Sequence, residues 1–376
     1  MENLLNKLLI NFLTSNTGGV INFKKDLITH IDQNCHLFDF QIYCLVSKET
    51  IKEIGQLENI KYCSDIEVPD TSLKKIFFYE IKLNKYIQLN QFDTLINFGD
   101  IPANVCVKQI FYFDWPYAVY DDYQLWSRMN LRDVFSKIFK RCYFTFAQKR
   151  PFSYIVQTHT MQKRLNKRVK NTRIKVIDVG FNKTEFEKSK SIKLNSKIIS
   201  QPSLIYPTAM YPHKNIEILI DVAKILKERN IFINFKLTFS SQSGKKESNF
   251  INIVTRRNLL EYFTFTGRLS RESLVTEIKL SSGIIMPTLI ETYGLPYLEA
   301  QIFKKVMFTS DRDFARELCG ESAVFFDPLN PNDIAEKIIE NIFSDKIMQK
   351  HVNAIDKEMK KRISWDESSR LILEEA

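Results

Sequence analysis

Short apolar runs recur along the chain, each of a length that suits a buried strand. In the first half they are Leu8–Leu13, Phe40–Val46, Ile60–Cys63, Thr94–Phe98, Val105–Tyr112, Tyr154–Gln157 and Ile174–Ile177. Between most of them lie stretches with helical spacing of apolar positions, such as Val20–Ile31 and Leu73–Ile87. A second series follows: Leu204–Tyr206, Ile233–Phe239, Phe263–Thr266, Gly283–Met286, Val306–Thr309 and Val324–Phe326, each trailed by a helical stretch. Alternation of this kind predicts α/β architecture, with parallel sheets wrapped by helices. The polar, lysine-rich stretch Asn182–Gln201 holds few large apolar residues and precedes Pro202, so it reads as a linker. Two doubly wound, Rossmann-like domains are expected, over residues 1–190 and 191–355. A final segment, 356–376, carries the amphipathic stretch Ile363–Leu373.

Length agrees, because 376 residues are too many for one ordinary core. The six cysteines (Cys35, Cys44, Cys63, Cys106, Cys142, Cys319) contain no Cys-x-x-Cys pair. That pattern argues against zinc and against a disulfide framework, and suits reduced thiols in a cytoplasmic protein. Leu4–Leu13 is apolar but is interrupted by Asn6, Lys7 and Asn11, so a first core strand explains it better than a targeting segment. Nothing approaches the roughly 20 apolar residues of a membrane-spanning helix.

The most informative stretch is Met286-Pro-Thr-Leu-Ile-Glu291-Thr-Tyr-Gly294-Leu-Pro296-Tyr-Leu-Glu299-Ala300. It predicts a buried strand, a tight glycine turn, and a helix with Pro296 at its first position, where a missing N–H costs nothing. The backbone N–H groups of Tyr293, Gly294 and Leu295 would then point from a helix end that favours a negative group. With Glu291 before the helix and Glu299 inside it, the arrangement suits a phosphorylated polyol such as a sugar nucleotide. A capped helix after a core strand, with both glutamates solvated, accounts for the same residues.

Two further features carry chemistry. Gly18 and Gly19 lie in Thr14-Ser-Asn16-Thr17-Gly18-Gly19-Val20, after the first strand and before a helix; this is not a dinucleotide fingerprint. Lys214 is expected at the start of a helix, Asn215–Leu226, where the dipole disfavours a cation unless an anion binds there.

Charge is concentrated. The chain carries a formal +10, while Arg128–Lys175 holds 14 Lys and Arg against the single acid Asp133, a local +13. Within it, Ile138-Phe-Lys-Arg-Cys-Tyr-Phe-Thr-Phe interleaves aromatics with cations. A basic helix with aromatics suits an anionic membrane surface. The plain alternative is a solvated helix whose Phe139, Tyr143 and Phe146 enter the core. No nucleic-acid motif accompanies the patch, and no nucleic-acid partner is expected.

Glu291 and Glu299, eight positions apart around Tyr-Gly-Leu-Pro, resemble the Glu-x7-Glu signature of family 4 retaining glycosyltransferases. The resemblance extends from about Leu204 to Ile339. It takes in Tyr211-Pro-His-Lys214-Asn-Ile, Phe265-Thr-Gly267-Arg-Leu-Ser-Arg-Glu-Ser-Leu274, Thr309-Ser-Asp-Arg-Asp-Phe-Ala-Arg-Glu-Leu-Cys-Gly320 and Ala323-Val-Phe-Phe-Asp-Pro328. It implies the GT-B fold, two Rossmann-like domains facing a central cleft, with the last helix returning to the first domain. It also implies a UDP- or GDP-sugar donor, no metal or other cofactor, and retention by same-face attack.

The family division of labour then falls on named residues. Glu291 would contact hydroxyls of the transferred sugar and Lys214 the leaving diphosphate. Glu299 would hold the nucleotide ribose, and the Tyr293, Gly294 and Leu295 amides would steady sugar and phosphate. Gly267 and Arg268 would lie near the base, with Tyr206, Thr208 or His213 as a further phosphate contact, and Gly18 and Gly19 facing the donor phosphates or the acceptor. The family arginine before Lys214 is replaced by Ala209, and no histidine follows the strand Val105–Tyr112. Asp114, Trp115 and His159 are the acceptor-side candidates, against simple packing. Charge and resemblance together suit a saccharide or lipid-linked saccharide acceptor in O-antigen or capsule assembly, with the protein peripheral on the inner face of the plasma membrane.

Three competing readings account for parts of the same sequence. Asp311-Arg-Asp313 has the look of a metal-dependent GT-A transferase, but it falls after the glutamate pair, so Asp311 is expected to start a turn and Asp313 to cap a helix over Phe314–Leu318. A glycoside hydrolase needs two acids flanking one bond, which Glu299 on the ribose does not supply. A catalytically silent nucleotide-sugar-binding or scaffold protein at the membrane is kept alive by Ala209 and the absent histidine.

Overall fold

The computed structural model describes residues 6–14, 19–190 and 201–376. Among them are thirteen strands in two sheets, every neighbouring pair parallel. The first sheet comprises β1 (Asn6–Asn11), β2 (Phe40–Leu45), β3 (Lys61–Cys63), β4 (Thr94–Asn97), β5 (Lys108–Tyr112), β6 (Ser153–Val156) and β7 (Arg173–Val176), in the order β3-β2-β1-β4-β5-β6-β7. The second comprises β8 (Ser203–Tyr206), β9 (Asn234–Leu237), β10 (Phe263–Phe265), β11 (Gly283–Met286), β12 (Val306–Ser310) and β13 (Ala323–Phe326), in the order β10-β9-β8-β11-β12-β13. Strand order reverses beside β1 and beside β8, and in open sheets of this kind ligands sit beyond the carboxyl ends at such points.

Helices cover the sheet faces, so interior strands are apolar throughout and read as unbroken runs. β4, β6, β8 and β11 are buried at every position. Each Leu or Ile so buried contributes about 1.5–3 kcal/mol. Within the strands the buried amides are paired, whereas the Ser153 hydroxyl of β6 has no partner among the described residues. Asn11 Nδ2 donates to Asn97 Oδ1 (2.9 Å), and Asn97 Nδ2 to Gln109 Oε1 (3.1 Å), so a buried amide chain joins β1, β4 and β5.

Two compact units are present. The first contains Met1–Asp121, Asn130–Phe181 and Arg362–Ala376; the second contains Asp122–Met129 and Asn182–Lys361. The chain passes between them at Phe181–Asn182 and Lys361–Arg362, where divisions after 190 and 355 were expected. The excursion Asp122–Met129 has no sequence signal. The expected linker is in part a helix, Lys183–Lys190, whose Phe186 is buried with Lys304 over its ring. One apolar anchor suffices there, which is why a composition average missed it; residues 191–200 lie outside the described residues.

The C-terminal helix Trp365–Leu373 packs on the helix Gly19–Asn34 of the first unit. Trp365 meets Phe23 edge-on at 5.6 Å, Asn34 Nδ2 donates to Ser369 Oγ (3.1 Å), and Arg362 pairs with Asp178 (2.9 Å).

Candidate active site

β11 runs through Pro287–Gly294 into the motif helix, Leu295–Ile302. Gly294 caps it with φ +81°, and a Cβ there would lie 2.9 Å from the Tyr297 ring, so the turn requires glycine. Pro296 is the second helical residue, after Leu295, still where no N–H partner is needed. Tyr297 is buried, and its hydroxyl pairs with Thr309 Oγ1 of β12 at 2.7 Å, fixing the helix to the sheet.

Glu291 is only 7% exposed, and its Oε1 lies 2.5 Å from Lys214 Nζ. Thr288 Oγ1 donates to the carbonyl of His213 (2.9 Å) and stands 3.3 Å from the same Glu291 oxygen. The Leu289 N–H also donates to the His213 carbonyl (2.8 Å). His213 thus serves this site through its backbone, while its ring stacks with Tyr211.

The local chain at Lys214 differs from the expected helix start. Pro212–Lys214 forms a single tight turn, Asn215 adopts φ +52°, and the helix begins at Ile218. Asn215 holds this bend, donating from Nδ2 to the carbonyls of Pro287 (3.1 Å) and Pro328 (2.7 Å) and accepting from Arg128 Nη1 (2.6 Å). The Tyr206 hydroxyl donates to the Lys214 carbonyl (3.0 Å). Lys214 is therefore aimed by a pinned turn, and the dipole argument for it falls away.

Glu299 is 6% exposed and pairs with Arg271 Nη1. Burial pushes its carboxyl above the usual range, and the Arg271 guanidinium opposes that rise. Arg271 is the residue that sequence reasoning passed over in favour of Arg268, three positions earlier and exposed. The signal was available: Ser270 caps the helix Arg271–Leu280, accepting from the Ser273 N–H, which fixes Arg271 in its first turn. Gly267 takes φ +71° just before it. The Thr208 N–H donates to Thr238 Oγ1 (2.8 Å), joining the loops after β8 and β9, and Ala209 is exposed beside it.

The remaining candidates belong to the first unit. Gly18 lies outside the described residues; Gly19 is the first residue of its helix. Asp114 is exposed, and Trp115, just past the carboxyl end of β5, lies under Lys140 at 4.5 Å. His159 is exposed at the start of the helix His159–Asn166, but the cap is Thr158, which accepts from the Met161 N–H.

Asp311 accepts two bonds from Arg316 (2.6 and 2.8 Å), which hold its carboxyl below the usual range. Asp313 is the first helical residue, with Arg312 in the cap position, so it does not cap its helix as expected. Among the described residues no group of three His, Cys, Asp or Glu side chains is arranged to hold a metal ion. The depression lined by Asp311, Arg312, Arg316 and Phe325 includes none of Glu291, Glu299 or Lys214.

Residues 182–362 match the family model of glycosyl transferases group 1, and this stretch coincides with the main segment of the second unit. A glycosyltransferase from Methanocaldococcus jannaschii, itself uncharacterized, is 27% identical over 164 residues, covering 43% of this chain and 44% of that protein. The chain thus matches less than half the length of its curated relatives. Among solved structures, a glycosyltransferase from Rickettsia africae superposes with a TM-score of 0.70 at 16% identity, covering 98% of this chain and 97% of the other. HepE of Anabaena, solved in complex with UDP-glucose, gives 0.68 at 13% identity, covering 98% of each chain. At these identities the likeness is one of fold. The architecture is that of GT-B proteins, two parallel-sheet Rossmann-like domains, as the sequence led us to expect.

Proposed function

We propose that the protein is a retaining, metal-independent glycosyltransferase of family 4 type. It takes a sugar from a UDP- or GDP-sugar to a saccharide or lipid-linked saccharide acceptor in envelope polysaccharide synthesis, such as O-antigen or capsule, at the inner face of an anionic membrane. The observation that carries this reading is the Lys214–Glu291 pair, largely buried beyond the carboxyl end of β11, with Glu299 eight residues on, inside the motif helix. An ion pair kept from water is costly to hold, and a site for an anionic substrate explains it better than stability does. That HepE was solved with UDP-glucose on the same fold supports a uridine donor.

With donor bound, Lys214 would meet the leaving diphosphate and Glu291 the sugar hydroxyls, while Glu299 turns its remaining oxygen to the ribose. The acceptor oxygen bonds to the anomeric carbon on the face the diphosphate leaves. The bond from that carbon to the diphosphate oxygen breaks, its electrons go to the phosphate, and the acceptor proton follows them. Lys214 and the motif helix end stabilise the developing charge.

The test is turnover with UDP- and GDP-sugars and a membrane-extract acceptor, read as nucleotide diphosphate release and as the anomeric configuration by NMR. Glu291→Gln should lower turnover at least a hundredfold, on the scale of other lost electrostatic contacts. The second reading is a catalytically silent nucleotide-sugar-binding scaffold, favoured by the exposed Ala209 where the resembled family has arginine. It predicts donor binding with no turnover in the wild type.

A further inference from the structure

The helix Leu131–Ala147 turns an apolar stripe outward. Three of its four cations face the protein: Lys137 lies over the Tyr117 ring (4.8 Å), Lys140 pairs with Asp100 (3.2 Å), and Arg141 pairs with Asp121. Five of its apolar residues form the outward stripe, with Phe135 70% and Phe146 72% exposed and Leu131, Ile138 and Phe139 exposed beside them, while Phe144 and Ala147 are buried on the other side. A helix on a water-facing surface has the opposite pattern.

A second segment of the same unit repeats it. The helix Ser72–Phe77 and the widened turn Phe78–Lys82 expose Leu73, Phe77 and Ile81, four positions apart, while Lys75 turns inward to Asp100 (2.7 Å). Glu80 accepts from Tyr143 and from both terminal nitrogens of Arg150 (2.8 and 3.1 Å). Asp100 and Glu80 therefore tie the two segments together through their polar sides, leaving both apolar stripes outward. Scattered apolar residues on a surface are ordinary; two continuous stripes on linked segments mark an interaction surface.

We propose that these stripes seat the first unit on an anionic lipid bilayer, with Phe77, Phe135, Phe139 and Phe146 entering the headgroup–acyl boundary. The charge pattern selects this partner. Lys82, Lys85, Arg132 and Lys149 are exposed on or beside the two segments, and none of them is among the cations paired with Asp100, Asp121 or Glu80. A second copy of the chain would bring like charges together, whereas anionic headgroups attract them. For the nature of the partner this inference rests on the membrane reading above, and it adds the face and the residues.

The experiment is co-sedimentation of the full chain with vesicles of phosphatidylcholine alone and of phosphatidylcholine and phosphatidylglycerol in equal parts. Size-exclusion chromatography and a thermal shift with UDP-glucose run alongside. Wild type should pellet with the anionic vesicles and less so as salt rises. Phe135→Ser/Phe139→Ser should weaken that binding by about tenfold or more, and Phe77→Ser should weaken it less. All should keep the wild-type melting point, and Leu260→Ser, an exposed apolar residue of the second unit, should change nothing. Wild type left in the supernatant at low salt, or equal pelleting of the double variant, overturns the proposal. So does a wild-type dimer that the same substitutions dissolve. The UDP-glucose shift is independent of vesicles, so failure here leaves the transferase reading standing, and the reverse holds too.

Discussion

Lys214 Nζ lies 2.5 Å from Glu291 Oε1, with side-chain exposures of only 16% and 9%. Breaking a buried pair on one side costs about 3–5 kcal/mol, whereas removing both partners for apolar residues is often neutral. Lys214→Met should therefore destabilise the protein by several kcal/mol, and Lys214→Met/Glu291→Met should recover most of that loss. Urea denaturation of the two variants checks this. Additive losses would mean that the two side chains do not interact.

Two glycines with positive φ give a graded pair. At Gly294 (φ +81°) a methyl group meets the buried Tyr297 ring at 2.9 Å, while at Gly267 (φ +71°) the first atom met is Ser240 Cβ at 3.9 Å. The backbone term alone is about 1–2 kcal/mol for either. Gly294→Ala should lower the melting point clearly more than Gly267→Ala, as calorimetry can measure.

Arg271 offsets the burial of Glu299, whose carboxyl pKa stands above the usual range. Arg271→Ala should raise it further. A group with a raised folded-state pKa contributes stability at low pH and loses it as pH rises through that value. The variant should therefore lose stability on going from acid to neutral pH more steeply than wild type, and Arg268→Ala should track wild type. Denaturation midpoints at stepped pH values decide the matter.

Lys305 is buried just before β12, an interior strand of the second sheet, donating to the carbonyls of Lys279 (2.6 Å) and Ser281 (2.8 Å), and burial lowers its pKa to about 8. Between that value and the 10.5 of an ordinary lysine, the unfolded chain holds a proton the folded chain releases. Stability from this group should rise with pH across that window, by at most ~1.4 kcal/mol per pH unit. Subtracting the profile of Lys305→Met from that of wild type isolates the slope.

The strands were legible because helices bury both faces of each sheet, so Leu204–Tyr206 or Gly283–Met286 had to be apolar throughout. The glutamate motif was legible because Gly294 and Pro296 punctuate it. What escaped depends on partners distant in sequence. Asn215 bends the chain through Pro287 and Pro328, and this places Lys214 in a turn. Glu299 finds Arg271, 28 residues away. For the basic helix the sequence left two readings, an anionic membrane surface and a solvated face with Phe139, Tyr143 and Phe146 in the core, since periodicity gives the angle between the two sides and not which one turns outward. The three inward cations depend on Asp100, Asp121 and the Tyr117 ring, none of them on that helix.

The most direct test of the account is donor binding at the glutamate pair. Thermal shift of wild type and Glu299→Gln would be recorded with UDP-, GDP- and ADP-sugars, each with and without EDTA. A ligand at a hundred times its dissociation constant adds about 2.7 kcal/mol of stability. The account predicts stabilisation of wild type by one nucleotide class, unchanged by EDTA and largely lost in Glu299→Gln. Stabilisation that vanishes with EDTA, persists in the variant, or is absent for every donor would contradict it.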